Sequence, residues 1–157
     1  MKPIFQMLFL LITVTFGGSA AIAGNSNFVA HLSGDEEVPN PVDTLAQGQA
    51  IFKLSQDSTE LHYRLIVANI EFVTQAHIHV APSGQNGSVV AFLFGFVPEG
   101  VTTNGPLAVG VITASDLIGP LSGMSLDDLV AEMQAGNTYV NVHTLAHPAG
   151  EIRGQIR

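Results

Sequence analysis

The sequence of 157 residues contains no cysteine and few basic residues. Without cysteine the fold has no disulfides to stabilise it, and a metal site must be built from histidine and oxygen ligands. Five lysines and arginines stand against thirteen aspartates and glutamates, which gives a net charge of −8 at pH 7. This negative charge makes nucleic acid and anionic membrane surfaces poor candidate partners.

A second long hydrophobic run is also missing, and the run that is present lies at the amino terminus. Lys2 precedes an apolar stretch over 4–16, and Ala21-Ile22-Ala23 has the small-x-small pattern of a cleavage site. The stretch is shorter than a typical transmembrane helix. We therefore expect a signal peptide over 1–23, no membrane span, and an exported single domain over 24–157, either periplasmic or secreted.

Short apolar alternations separated by turn residues dominate 24–157, which is typical of an antiparallel β-sandwich or barrel. The stretch 98–106 and the acidic run Asp35-Glu36-Glu37 are expected to be loops. Strands are predicted at eight places, namely 28–32, 50–54, 61–67, 73–80, 89–94, 107–113, 138–144 and 151–157. The pattern therefore predicts an all-β domain.

One short helix is predicted near 125–135. Ser125 and Asp128 form a capping-box pattern at its start, and Gly136 lies where a helix end is expected. The apolar residues that follow helical spacing are Leu126, Leu129, Val130 and Met133. We expect this apolar stripe to pack on the sheet.

Two of the predicted strands carry histidines. In the strand over 73–80, His77 and His79 are two positions apart, so both point to the side opposite the core. In the strand over 138–144, the same alternation directs His143 away from the core. Three imidazoles with an open position can form a copper or zinc site if the two strands are adjacent. The pattern fits solvated histidines that bind nothing equally well.

Other candidate residues have simpler interpretations beside the functional one. His147 is a candidate fourth ligand, although it also fits an ordinary loop position. Arg153 is a candidate to guide an anion toward a metal, or to pair with a carboxylate in a salt bridge. His31 and His62 lie opposite the apolar faces of their strands, so we expect both to face solvent.

Three sets of residues together form a pattern that spans 28–157. They are Gly34-Asp35-Glu36-Glu37-Val38-Pro39 with Thr44, Ala46 and Gly48; Ala76-His77-Ile78-His79 with Asn86-Gly87; and Tyr139-Val140-Asn141-Val142-His143-Thr144 with Gly150-Glu151-Ile152-Arg153-Gly154. The pattern resembles the CHRD domain, a family named from chordin whose members also occur alone in exported bacterial proteins. The resemblance implies an antiparallel Greek-key β-sandwich, immunoglobulin-like or superoxide-dismutase-like, and an extracellular binding module.

The histidine motifs are also similar to those of Cu/Zn superoxide dismutase, which is a Greek-key β-sandwich protein. This similarity implies copper ligation by His77, His79 and His143, and it places Arg153 near the position of a substrate-guiding arginine. No histidine lies between His79 and His143, so the bridging and zinc-site histidines of that family have no counterparts. The similarity therefore does not imply a dinuclear enzyme.

Two functional hypotheses follow from the sequence. The preferred one is an exported β-sandwich that binds one copper ion, with zinc as the second choice, through His77, His79 and His143. Either His147 or water would complete this site, and a copper-dependent oxidoreductase of the superoxide-dismutase type is the enzymatic extension. The alternative is a metal-free adhesion or protein-binding module of the cell envelope.

Overall fold

The computed structural model describes residues 26–157, so the predicted signal peptide over 1–23 lies outside the described residues. The described chain contains one α-helix, α1 (Leu126–Gln134), and three short 3-10 turns at Gly34–Glu36, Ala114–Asp116 and Gly119–Leu121. Its seven strands are β1 (Asn27–Ser33), β2 (Gln47–Leu54), β3 (Leu61–Val80), β4 (Ser88–Phe94), β5 (Val101–Ile112), β6 (Thr138–Thr144) and β7 (Ile152–Gln155).

All strand pairs are antiparallel, and the strands belong to one sheet with the order β2-β1-β7-β6-β3-β4. Strand β2 also pairs with the first half of β3, which closes β1, β2, β3, β6 and β7 into a barrel-like ring. Strands β4 and β5 pair with β3 outside this ring. The predicted all-β class, with antiparallel pairing and one short helix, is confirmed.

Strand β3 is one continuous element, whereas the sequence predicted two strands over 61–67 and 73–80. Asn69 and Phe72 adopt positive φ angles of 55° and 52°, and the register with β5 shifts on both sides of Ile70. Irregularities of this kind bend a strand without ending it. As a result the first half of β3 pairs with β2, and the second half pairs with β6.

The predicted loop over 98–106 is wrong for its second part, because β5 begins at Val101. Pro106 lies within β5 opposite Ile66, next to a register shift. Proline is tolerated at such a position on an outer strand, where the missing N–H group costs little pairing. The turn-forming residues at 104–106 therefore predicted a loop where the structure has a strand.

The core lies inside the ring and is apolar. Helix α1 begins at the predicted capping box, in which the Ser125 side chain accepts a hydrogen bond from the Asp128 backbone N–H. Its buried stripe joins the same core cluster as the strands. Fully buried members of this cluster include Phe52, Leu61, Leu65, Ile78, Leu129, Val140 and Ile152. Within residues 26–157, no helix has both the length and the apolar character that crossing a membrane requires.

Candidate metal centre

Strand β6 lies between β3 and β7, and this placement brings the two histidine segments together. His79 pairs with Tyr139, while His143 pairs with Gln75, two residues before His77. All of these side chains lie on the outer face of the ring, opposite core residues such as Ile78. The adjacency that the metal hypothesis required is therefore present.

The nitrogen atoms of the three imidazoles converge. His77 Nδ1 lies 3.2 Å from His143 Nε2. One ligand nitrogen from each of His77, His79 and His143 lies within 4.8 Å of the others. Two nitrogens bound tetrahedrally to an ion at 2.0–2.1 Å are about 3.3 Å apart. The cluster can therefore hold a metal ion after small movements of the rings.

Two backbone carbonyl groups fix which nitrogens are available. His79 Nδ1 lies 3.0 Å from the Gly87 oxygen, and His143 Nδ1 lies 3.0 Å from the Pro148 oxygen. Because a carbonyl oxygen only accepts, each Nδ1 carries the proton and each Nε2 keeps a lone pair. In the metal-free protein His143 Nε2 then accepts from His77 Nδ1–H, and this proton must move to His77 Nε2 when these two nitrogens bind a metal ion. His79 Nε2 is buried and has no hydrogen-bond partner. An unpartnered, buried imidazole lone pair is suited to a metal ligand.

The histidines are covered, although the sequence placed them on a face compatible with solvent. His77 is 4% exposed and His143 is 7% exposed. The side chain of His79 is half-buried, but its Nε2 atom is shielded from solvent. The interpretation as freely solvated histidines is therefore wrong, because the loops that contain Gly87 and Pro148 contact the rings of His79 and His143.

Burial also sets the protonation state of the cluster. It lowers the pKa of His77 to about 4, with a further contribution from the neighbouring His143 and His79. Burial is likewise the main cause of the lowered pKa values of His79 and His143. All three rings are therefore neutral at pH 7, which is the state that metal ligation requires.

Arg153 does not face solvent. It is 2% exposed, and its guanidinium carbon lies 3.5 Å from the centre of the Tyr139 ring. Its nitrogens donate to the Asn86 side-chain oxygen at 2.9 Å and to the Gln85 carbonyl oxygen at 2.7 Å. No carboxylate in the described range 26–157 forms an ion pair with it. Arg153 therefore holds a loop at the edge of the histidine cluster.

Glu37 is a buried residue of this face that the sequence placed in a solvated loop. Its two carboxyl oxygens accept hydrogen bonds from Asn141 Nδ2 at 3.2 and 3.1 Å. Burial raises the pKa of Glu37 to about 7, against the opposing effects of Asn141 and Arg153. An acidic run carries no local sign that one member is buried, so only the contact with β6 distinguishes Glu37.

The remaining histidines stay apart from the cluster. His147 is half-buried in the loop after β6, and its ring is not among the three that converge. His31 and His62 are exposed as predicted, and His62 Nε2 lies 3.2 Å from a Glu60 carboxyl oxygen. Among residues 26–157, three histidines therefore offer convergent nitrogens that can hold a metal, and no fourth histidine joins them.

A protein-family model described as the CHRD domain matches residues 28–156 of the chain. No curated protein and no solved structure matches it. The similarity of the histidine motifs to those of Cu/Zn superoxide dismutase therefore rests on the sequence motifs alone.

Proposed function

The chain belongs to the CHRD domain family, whose domains are typically extracellular, and from this premise we propose an exported copper-binding domain. It binds one copper ion through His77, His79 and His143. The observation that carries the proposal is the buried Nε2 atom of His79, which lacks a partner beside two further imidazole nitrogens. Such a lone pair costs free energy in the empty protein, and a bound cation would satisfy it.

The donor set favours copper(II) over zinc. Imidazole suits both ions, and copper(II) precedes zinc in the affinity order of divalent metals when the ligands are the same. The chain has no cysteine, so no thiolate ligand is present to change this preference. Three protein nitrogens leave a further position, which we assign to water because His147 lies outside the convergent group.

The proposal gives Arg153 a supporting role. Its guanidinium group is buried and already donates to Gln85 and Asn86, so an approaching anion would have to displace those contacts. Bound copper would supply one-electron redox chemistry, but the proposal contains no anion-guiding step. Metal binding is the activity that the geometry supports.

A competition titration tests the proposal. Chelator-treated protein receives copper(II) in the presence of excess zinc(II), and bound metal is counted by elemental analysis. We expect one copper per chain in the wild type and none retained in the His77→Ala/His79→Ala double variant. The matched control is His31→Ala/His62→Ala, which removes two exposed histidines and should bind like the wild type. Stoichiometric copper in the first double variant would sink the proposal.

A protein-binding module is a second candidate, favoured by exposed apolar side chains near the cluster. Phe72 and Leu145 are about half exposed, and the Leu145 N–H donates to the Phe72 carbonyl oxygen at 3.1 Å. Phe96 is 67% exposed and follows β4, which pairs with the second half of β3. Under this function, Phe96→Ser with Leu145→Ser would abolish recovery of an envelope partner, while the double histidine variant would still recover it.

A further inference from the structure

The loop between β3 and β4 contains a segment that contacts both the metal cluster and Arg153. We name Gln85-Asn86-Gly87 the strap. The Gly87 carbonyl oxygen lies 3.0 Å from His79 Nδ1, which is the contact of the strap with the cluster. The Gly87 N–H donates to the hydroxyl of Tyr139 at 3.1 Å. The protonation of His79 at Nδ1 therefore depends on where the strap lies.

At Gly87 the strap lies in close contact with the backbone of Val80 in β3. A Cβ atom at Gly87 would overlap the Val80 carbonyl group, so only glycine fits there. Its neighbour Asn86 donates from Nδ2 to the Val38 carbonyl oxygen at 2.9 Å. The strap is thus connected to the segment that contains Glu37, which accepts hydrogen bonds from Asn141 of β6.

Arg153 holds the strap at two successive residues. Its two terminal nitrogens donate to Asn86 Oδ1 and to the Gln85 carbonyl oxygen, and the planar fork of arginine fixes both acceptors together. The same group lies over the ring of Tyr139, which stacks on His79 with ring centres 4.8 Å apart. Because β6 lies between β3 and β7, Tyr139 separates Arg153 from His79.

We infer that Arg153 is a positioning residue of the metal site, because it holds the strap so that Gly87 keeps the His79 proton on Nδ1. The lone pair then lies on Nε2, which faces the other two imidazoles. A neutral imidazole has two tautomers, and the hydrogen bond at one nitrogen decides which nitrogen can bind a metal. The effect on metal affinity rests on the proposed copper site, whereas the tautomer of His79 exists without any metal.

The test measures the tautomer in the metal-free protein by nitrogen-15 NMR of the histidine rings at neutral pH. In the wild type we expect His79 to be protonated at Nδ1 only. In Arg153→Lys, which keeps the charge but loses the fork, we expect a mixture of both tautomers at His79. The Nδ1 proton of His143 is an internal control, because Pro148 holds it independently of the strap. Arg64→Lys, at an exposed arginine of β3, is the matched control variant.

Copper titration of the same proteins gives the functional consequence. Loss of a group that orients a metal ligand costs roughly 10- to 100-fold in metal affinity, so we expect a weakening in this range for Arg153→Lys and none for Arg64→Lys. A shifted His79 tautomer with no copper bound by any protein, the wild type included, would support the positioning role and refute the proposed function. A folded Arg153→Lys variant with an unchanged tautomer and unchanged affinity would overturn the inference.

Two milder variants keep the inference testable if Arg153→Lys does not fold. Tyr139→Phe retains the ring stack and removes the hydroxyl that accepts from Gly87, and Asn86→Ala removes one acceptor from an exposed side chain. Each should shift the His79 tautomer in the same direction as Arg153→Lys, but less. An Nδ1-protonated His79 in both folded variants would contradict the inference.

Discussion

His77 Nδ1 and His143 Nε2 lie 3.2 Å apart, although 66 positions separate the two residues in the chain. The contact exists because β3 continues past its bulges and pairs with β6 in its second half. Together with the unpartnered Nε2 of His79, it gives a cluster of three imidazoles that can hold a metal ion.

Copper binding should persist in weakly acidic solution. An ordinary imidazole is protonated below about pH 6.5, whereas burial holds the pKa of His77 at about 4 and also lowers those of His79 and His143. Titrations at successive pH values should show that binding is lost at a lower pH than at a site of ordinary imidazoles, with a steep loss toward pH 4. Circular dichroism at each pH checks that the protein is folded. Loss of binding between pH 7 and pH 6 would contradict this prediction.

The metal-free protein should lose stability on acidification. Because the pKa of His77 falls from 6.5 to about 4 on folding, the unfolded chain binds the proton first. This contribution to stability is complete above pH 6.5 and disappears as the pH falls toward 4. The unfolding free energy of the wild type, compared with His77→Gln in denaturant titrations, should therefore decline more steeply across this interval. Parallel declines in the two proteins would exclude the effect.

Glu37 should act in the opposite direction. Its pKa rises from 4.5 to about 7 on folding, so its contribution is present below pH 4.5 and is lost as the pH rises through 7. In Glu37→Gln the amide oxygen can still accept from Asn141 Nδ2, and the side chain no longer ionises. As the pH rises from 5 to 8, the unfolding free energy of the variant minus that of the wild type should increase by about 1–3 kcal/mol.

The exposed neighbour Glu36 provides the control for that experiment. Glu36→Gln removes the same charge from the same segment without touching Asn141, so its stability relative to the wild type should change little with pH. Denaturant titrations of the three proteins at both pH values make the comparison. Equal pH profiles for Glu37→Gln and Glu36→Gln would show that Glu37 is not held in its protonated form.

Glycine should be required at position 87. In Gly87→Ala the new methyl group would overlap the Val80 carbonyl group, so either the strap or β3 must move. We expect a loss of more than about 2 kcal/mol in the unfolding free energy, together with weaker copper binding. Gly95→Ala is the control, because a Cβ atom there would meet nothing within 4 Å. Equal stability of the two variants would disprove the close approach of the strap.

The features that the sequence predicts well are the local ones. The capping box at Ser125 and the helical spacing after it determine α1, and period-two alternation determines which face of β6 each residue occupies. Positive φ at Phe72 has no such local sign, since bulky side chains rarely adopt it. The sequence therefore did not predict that β3 is continuous, and its pairing with β2 and β6 shows that it is.

The burial of the histidine face is a long-range property. Arg153 contacts Asn86 across 67 positions, and Glu37 contacts Asn141 across 104. Alternation along a strand tells which side a residue faces, but it does not tell what covers that side. For this reason the sequence predicted that the three histidines share one face but did not predict the segments that shield and orient them.

The most direct test of the account is native mass spectrometry of the metal-free protein after addition of one equivalent of copper(II), for the wild type, His143→Ala and His62→Ala. The account predicts one copper ion on the wild type and on His62→Ala, whose replaced ring is exposed on β3, and at most a small occupied fraction of His143→Ala. Equal copper occupancy of all three proteins would contradict the claim that His77, His79 and His143 together form the site.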